Sequence, residues 1–140
     1  MKTTAIQTLM GAEGIKEAYR MTLSAQNADI VCVSEKYEQV IGDYFTSEYA
    51  PKLYKTCQTR EILPDVPENR EYAASKDASR NAVRFMNAEK AGETDKIIIE
   101  DMVIYISFNL KAPYALVITD ADLAKTERAL FEEVWKNAGK

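Results

Sequence analysis

The chain has 140 residues, 46% of them hydrophobic and 29% charged, a balance that suits one globular domain with its own core and excludes a disordered or fibrous chain. A formal charge of -4 leaves no surplus of cations to neutralise a phosphate backbone, so direct nucleic-acid contact by this chain is not expected. It contains no histidine, which excludes serine–histidine and cysteine–histidine triads and histidine-bound zinc while leaving carboxylate and lysine chemistry open.

Residues 1 to 14 carry only scattered apolar positions and lack the apolar core of a signal peptide, and no later run is long enough to span a membrane. A cytoplasmic protein is expected. Over residues 12 to 26, Ile15, Ala18, Tyr19, Thr22 and Leu23 recur at helical spacing, with Lys16, Glu17 and Arg20 off that stripe. Asn27 and Asp29 interrupt it, and Ile30 to Val33 form a short β-branched run suited to a strand buried on both faces. Tyr37, Val40 and Ile41 mark a short helix ending at Gly42, and Ser47 is a candidate cap for a further helix reaching Thr56 with Pro51 in its first turns. Arg60 to Leu63 read as a strand stopped by Pro64, residues 68 to 77 as an exposed polar helix, and Ala82 to Met86 as another strand.

The strongest β signal follows a polar loop over residues 87 to 95. Lys96 to Ile99, a turn at Glu100 to Met102, and Val103 to Phe108 form a hairpin, and Tyr114 to Ile118 add a third strand, so these three should lie at the centre of the sheet. Thr119 and Asp122 are spaced as a capping box before a last helix whose stripe is Leu123, Glu127, Leu130, Phe131, Val134, Trp135 and Ala138, closed by Gly139. Burial of Leu130, Phe131, Val134 and Trp135 is expected to stabilise the fold by roughly 2 kcal/mol each before entropy is counted. Cys32 and Cys57 lack metal-ligand spacing and read as buried thiols, and neither a metal nor a cofactor is expected. There are no internal repeats, and residues 1–140 are expected to form a single domain.

Thr94 to Asp101 and Ser107-Phe108-Asn109 resemble the active strands of the phospholipase D-like superfamily, His-x-Lys-x-x-x-x-Asp followed by Gly-Ser-x-Asn. Lys96, Asp101, Ser107 and Asn109 fall in register, while Thr94 stands where the histidine would be and Ile106 where the glycine would be. The resemblance implies an α/β fold with a mixed sheet of about six strands flanked by helices on both faces. In that superfamily the histidine attacks phosphorus while the lysine and asparagine hold the phosphate oxygens, so loss of the histidine implies loss of turnover. The plain alternative is that Lys96 and Asp101 are an ordinary strand-end charge and turn aspartate.

Gly14 to Tyr19, Arg60 to Pro64, Val83 to Phe85, Lys96 to Phe108, and Ala129 to Phe131 with Trp135 together resemble the carboxy-terminal effector domain of TrmB-type transcription regulators. That resemblance implies a non-catalytic sensing and dimerisation module with no DNA-binding winged helix in this stretch. Because phospholipase D active sites are assembled from two facing halves, a homodimer is implied. A surviving ligand site would gather Lys96, Arg60 and Arg84 as cations with Ser107, Asn109 and Asp101 nearby, and would suit a small anionic metabolite. Arg60 and Arg84 could equally pair with carboxylates at strand ends. The alternatives to a sensing module are a residual or repurposed phosphodiesterase and a purely structural dimerisation domain.

Overall fold

A computed structural model describes residues 3–139. Residues 1, 2 and 140, part of the single-domain expectation, lie outside the described residues.

Seven strands form one mixed sheet: β1 (Ala5–Met10), β2 (Asn27–Val31), β3 (Gln58–Pro64), β4 (Asn81–Met86), β5 (Thr94–Ile99), β6 (Met102–Ser107) and β7 (Tyr114–Thr119). Their order is β1-β7-β6-β5-β2-β3-β4. β2, β3 and β4 run parallel, and the other pairings are antiparallel. The hairpin and the strand after it are neighbours and β5 holds the middle position, but β7 lies one strand from the edge rather than at the centre expected of all three. The sheet has one strand more than the sequence suggested. β1 was not anticipated because its side chains are mostly exposed and so lack apolar alternation; Ile6 is 69% exposed.

Among the described residues five α-helices accompany the sheet: α1 (Gly11–Met21), α2 (Tyr37–Ile41), α3 (Ala50–Thr56), α4 (Pro67–Ala74) and α5 (Ala121–Asn137). The glycine closing α2 has φ 60° and donates its N–H to the Glu38 carbonyl, a conformation that glycine adopts without steric cost. The helix expected from Ser47 begins instead with a wide π-type turn over Phe45–Tyr49 that runs into α3, with Pro51 in the first turn of α3. α4 carries no fully buried residue, in keeping with its polar sequence.

Alternation along the strands divides the interior in two. Ile30, Ile97, Ile104, Ile106 and Val117 meet Ile15, Ala18, Tyr19, Tyr49 and Leu53 in the larger cluster, under α1 to α3. On the opposite face Ile62, Ile98 and Val103 meet Ala124 and Phe131 of α5. Helices therefore cover both faces.

Two features of α5 differ from expectation. Its N-cap is Asp120, whose carboxylate accepts the Asp122 N–H, because Thr119 is used as the last residue of β7, opposite Ala5 and Met102. Leu130 and Val134 are 54% and 44% exposed, so the core stripe narrows to Ala124 and Phe131 with Leu123 and Trp135 at its margin. Gly139 does not close the helix in a left-handed turn. Its N–H and carbonyl pair with Phe85 and cover part of the edge of β4. Cys57 is buried as expected, whereas Cys32 is half-buried.

Candidate functional site

Pairing in the β5–β6 hairpin sets Thr94 opposite Ser107 and Lys96 opposite Tyr105. Alternation places all four on the α5 face, and Asp95 on the other. The Lys96 ammonium sits 2.5 Å from Oε2 of Glu127, a residue on the sheet-facing stripe of α5. Beyond the end of β6, the Asn109 N–H donates to Ser107 Oγ at 3.3 Å and Asn109 Oδ1 accepts the Lys111 N–H at 3.0 Å, so that side chain is folded into its own turn.

Lys96, Ser107 and Asn109 thus come to one end of the sheet, beside Thr94. Asp101 does not join them. It lies in the turn at the other end of the hairpin, where Glu100 takes φ 46° and its carbonyl accepts from Arg128 at 2.7 Å. Lys96 faces Val31, Val31 faces Ile62 and Ile62 faces Arg84, so Arg84 stands three strands, about 14 Å, from Lys96.

The two arginines expected at an anion site hold α5 instead. Arg60 forms a two-pronged pair with Asp29 at 2.9 and 3.0 Å, reaches Glu132 at 2.6 Å, and lies 5.0 and 5.5 Å from the ring centres of Phe131 and Trp135. The hydrogen bond to Asp29 raises the affinity of Arg60 for its proton, and Arg60 in turn holds Glu132 below the usual carboxylate range. Arg84 donates to the Trp135 carbonyl at 2.7 Å and stacks 4.5 Å from its ring centre. Arg60 thus pairs with two carboxylates, whereas Arg84 meets a backbone carbonyl and an indole ring.

Chemically, the hairpin end offers one ammonium already neutralised by a carboxylate, two hydroxyls and an amide. A threonine hydroxyl stays protonated at neutral pH and attacks poorly unless a base activates it. Glu127, the carboxylate that reaches Lys96, is engaged with it. Among the described residues, no group of three cysteine, aspartate or glutamate side chains is placed to hold a metal ion.

Two buried acids escaped the sequence reading. Asp95 accepts the N–H groups of Val33 and Ser34 at 2.7 and 2.9 Å and the thiol of Cys32 at 3.4 Å, tying the end of β2 to β5. Burial pushes its pKa up to about 6 against those hydrogen bonds. Glu61, 1% exposed, accepts from the hydroxyls of Tyr54 and Tyr72, which also bond to one another. Burial raises its pKa too. The available signal was a charge at an inward position of a covered strand, which demands partners.

A mixed sheet covered by helices on both faces, with a lysine-bearing hairpin inside it, defines a phospholipase D-like α/β fold. Comparison with solved structures agrees. NucT from Helicobacter pylori superposes with a TM-score of 0.69 at 10% identity, over 98% of this chain and 99% of its own. Nuc from Salmonella typhimurium, a phospholipase D family member, gives 0.63 at 12% identity, over 97% of each chain. TrmBL2, an archaeal chromatin protein with its own mode of DNA binding, gives 0.66 at 14% identity over 96% of this chain. The chain spans 54% of TrmBL2, about half that protein's length. No protein-family model and no curated protein matches the sequence.

Proposed function

We propose that this chain is a non-catalytic sensing and dimerisation module of a TrmB-type transcription regulator, acting in the cytoplasm. The observation that carries the reading is the Lys96–Glu127 pair: the motif lysine is spent on holding a helix, beside a threonine where an attacking histidine would stand. Likeness to about half of the TrmBL2 chain supports a module that works with a separate DNA-binding part. A net charge of -4 supports a module that leaves DNA contact to another part. Among the described residues no helix is long and apolar enough to cross a membrane.

The test is an assay on bis(p-nitrophenyl) phosphate with the purified protein, alongside Lys96→Ala. No release of nitrophenol above buffer is expected from either. Turnover that disappears in Lys96→Ala would establish the second reading, a repurposed phosphodiesterase, which the near full-length likeness to Nuc and NucT favours. A mobility shift with duplex DNA at physiological salt should show no complex; a salt-sensitive complex would place DNA contact on this domain.

A further inference from the structure

On the face of the sheet opposite Lys96, a cavity of about 440 Å³ opens at the carboxyl ends of the parallel strands β2 and β3, between the β2–α2 loop and α4. Its volume lies in the range of small-molecule sites, and the carboxyl ends of strands are where open α/β sheets hold ligands. Tyr19, Tyr37, Phe45 and Tyr72 contribute to its walls. Phe45 links two of them, its ring centre 5.8 Å from Tyr19 and 5.6 Å from Tyr37. The lining has no lysine or arginine. It has four carboxylates: Glu61, buried, and Glu35, Glu38 and Glu68, exposed at the rim.

One ring of the wall, Tyr72, already has an ammonium of the protein beside it. The Nζ of Lys76 sits 3.5 Å from the ring centre of Tyr54 and 4.5 Å from that of Tyr72, the two tyrosines whose hydroxyls bind Glu61. Aromatic faces attract cations through their quadrupole, more strongly as water is excluded. The rim carboxylates repel anions and draw polycations inward. From this combination of space, aromatic wall and acidic rim, we infer that the cavity binds a linear polyamine, with one ammonium against the aromatic wall near Glu61 and the others at Glu35, Glu38 and Glu68. The chemistry is opposite in sign to an anion site among Lys96, Arg60 and Arg84, whose cations already have partners in the protein. The inference goes beyond the module reading and does not depend on it, because the measurement is of binding alone.

Spermidine is the probe, titrated calorimetrically into the intact protein with magnesium chloride as a control for general attraction to an acidic surface. One spermidine per chain is expected, with no comparable magnesium heat and with affinity that weakens as salt rises. Tyr37→Ala and Glu61→Gln should each weaken binding roughly tenfold or more. The double variant Glu38→Gln/Glu68→Gln, which alters only exposed positions, should weaken it also, and keeps the test decisive if Glu61→Gln fails to fold. Absence of binding overturns the inference. So does spermidine binding that these variants leave unchanged or that magnesium reproduces, since that would be attraction to the surface as a whole.

Discussion

Gly14 lies in α1 where the helix passes over β1, and a Cβ there would stand 2.4 Å from the carbonyl carbon of Leu9 and 2.7 Å from its oxygen. Both are backbone atoms, so the clash cannot be relieved by turning a side chain. Gly14→Ala is expected to destabilise the protein by about 1 to 3 kcal/mol despite the better helix propensity of alanine, as read by urea unfolding; an unchanged or raised midpoint would show that α1 and β1 can separate freely. Asp95 sets a second, pH-dependent expectation. Its ordinary pKa of 3.8 becomes about 6 in the fold, so between those values the folded state binds the proton more tightly than the unfolded chain. Stability from this group therefore rises as pH falls from 7 toward 4. Glu61 shifts in the same direction, whereas Asp65, Asp77 and Glu132 shift oppositely, so the informative quantity is a difference between variants. Asp95→Asn keeps an oxygen for the Val33 and Ser34 N–H groups but cannot ionise. Across that pH window the wild type should gain about 2 to 3 kcal/mol relative to Asp95→Asn, and parallel stability curves for the two would refute the assignment.

Helix α5 is fastened to the sheet as much by arginine as by apolar contact. Arg60 joins Asp29 of β2 to Glu132 and stacks beside Phe131 and Trp135, while Arg84 binds the Trp135 carbonyl. Arg60→Ala should cost about 1 to 3 kcal/mol, and Arg60→Lys should recover little of it, because an ammonium supplies neither the flat stacking surface nor the two-pronged pair. Trp135 is the only tryptophan, so its emission reports the docking directly. A native spectrum shifted to the red is expected in both variants; full recovery by lysine would show that charge alone suffices. The sequence made α5 readable as a sheet-packing helix and even placed Glu127 on its inner stripe. It could not show that Glu127 meets Lys96, because that contact joins positions 31 residues apart. The β5–β6 hairpin was readable because Ile97 to Ile99 and Val103 to Ile106 are continuous apolar runs next to a polar turn. β1 was not, since an edge strand with exposed Ile6 and Met10 shows neither alternation nor a buried run. Motif spacing grouped Lys96, Asp101, Ser107 and Asn109, of which the hairpin brings Lys96, Ser107 and Asn109 to one end and Asp101 to the other, whereas placing Arg60 and Arg84 needed the order of the strands.

The two apolar clusters lie on opposite faces of a single sheet and share its strands: Ile97 and Ile99 belong to one, Ile98 to the other. Loss of either face exposes the back of the strands that support the other, so the chain should unfold as one cooperative unit. Trp135 emission follows the α5 side, while far-ultraviolet circular dichroism follows every helix, most of which lie on the other side. Coincident urea transitions are expected from the two probes, and a separate early tryptophan transition would divide the domain. A homodimer adds a further condition to the same measurement. If two copies associate in the folded state only, mass action makes the thermal midpoint rise with protein concentration, whereas a folded monomer unfolds at a midpoint independent of it. Scans across a hundredfold range of concentration should therefore show a steady rise, accompanied by a light-scattering mass near twice the 15.8 kDa of one chain. A constant midpoint with the mass of a single chain would remove dimerisation from the proposed function while leaving the fold as it stands.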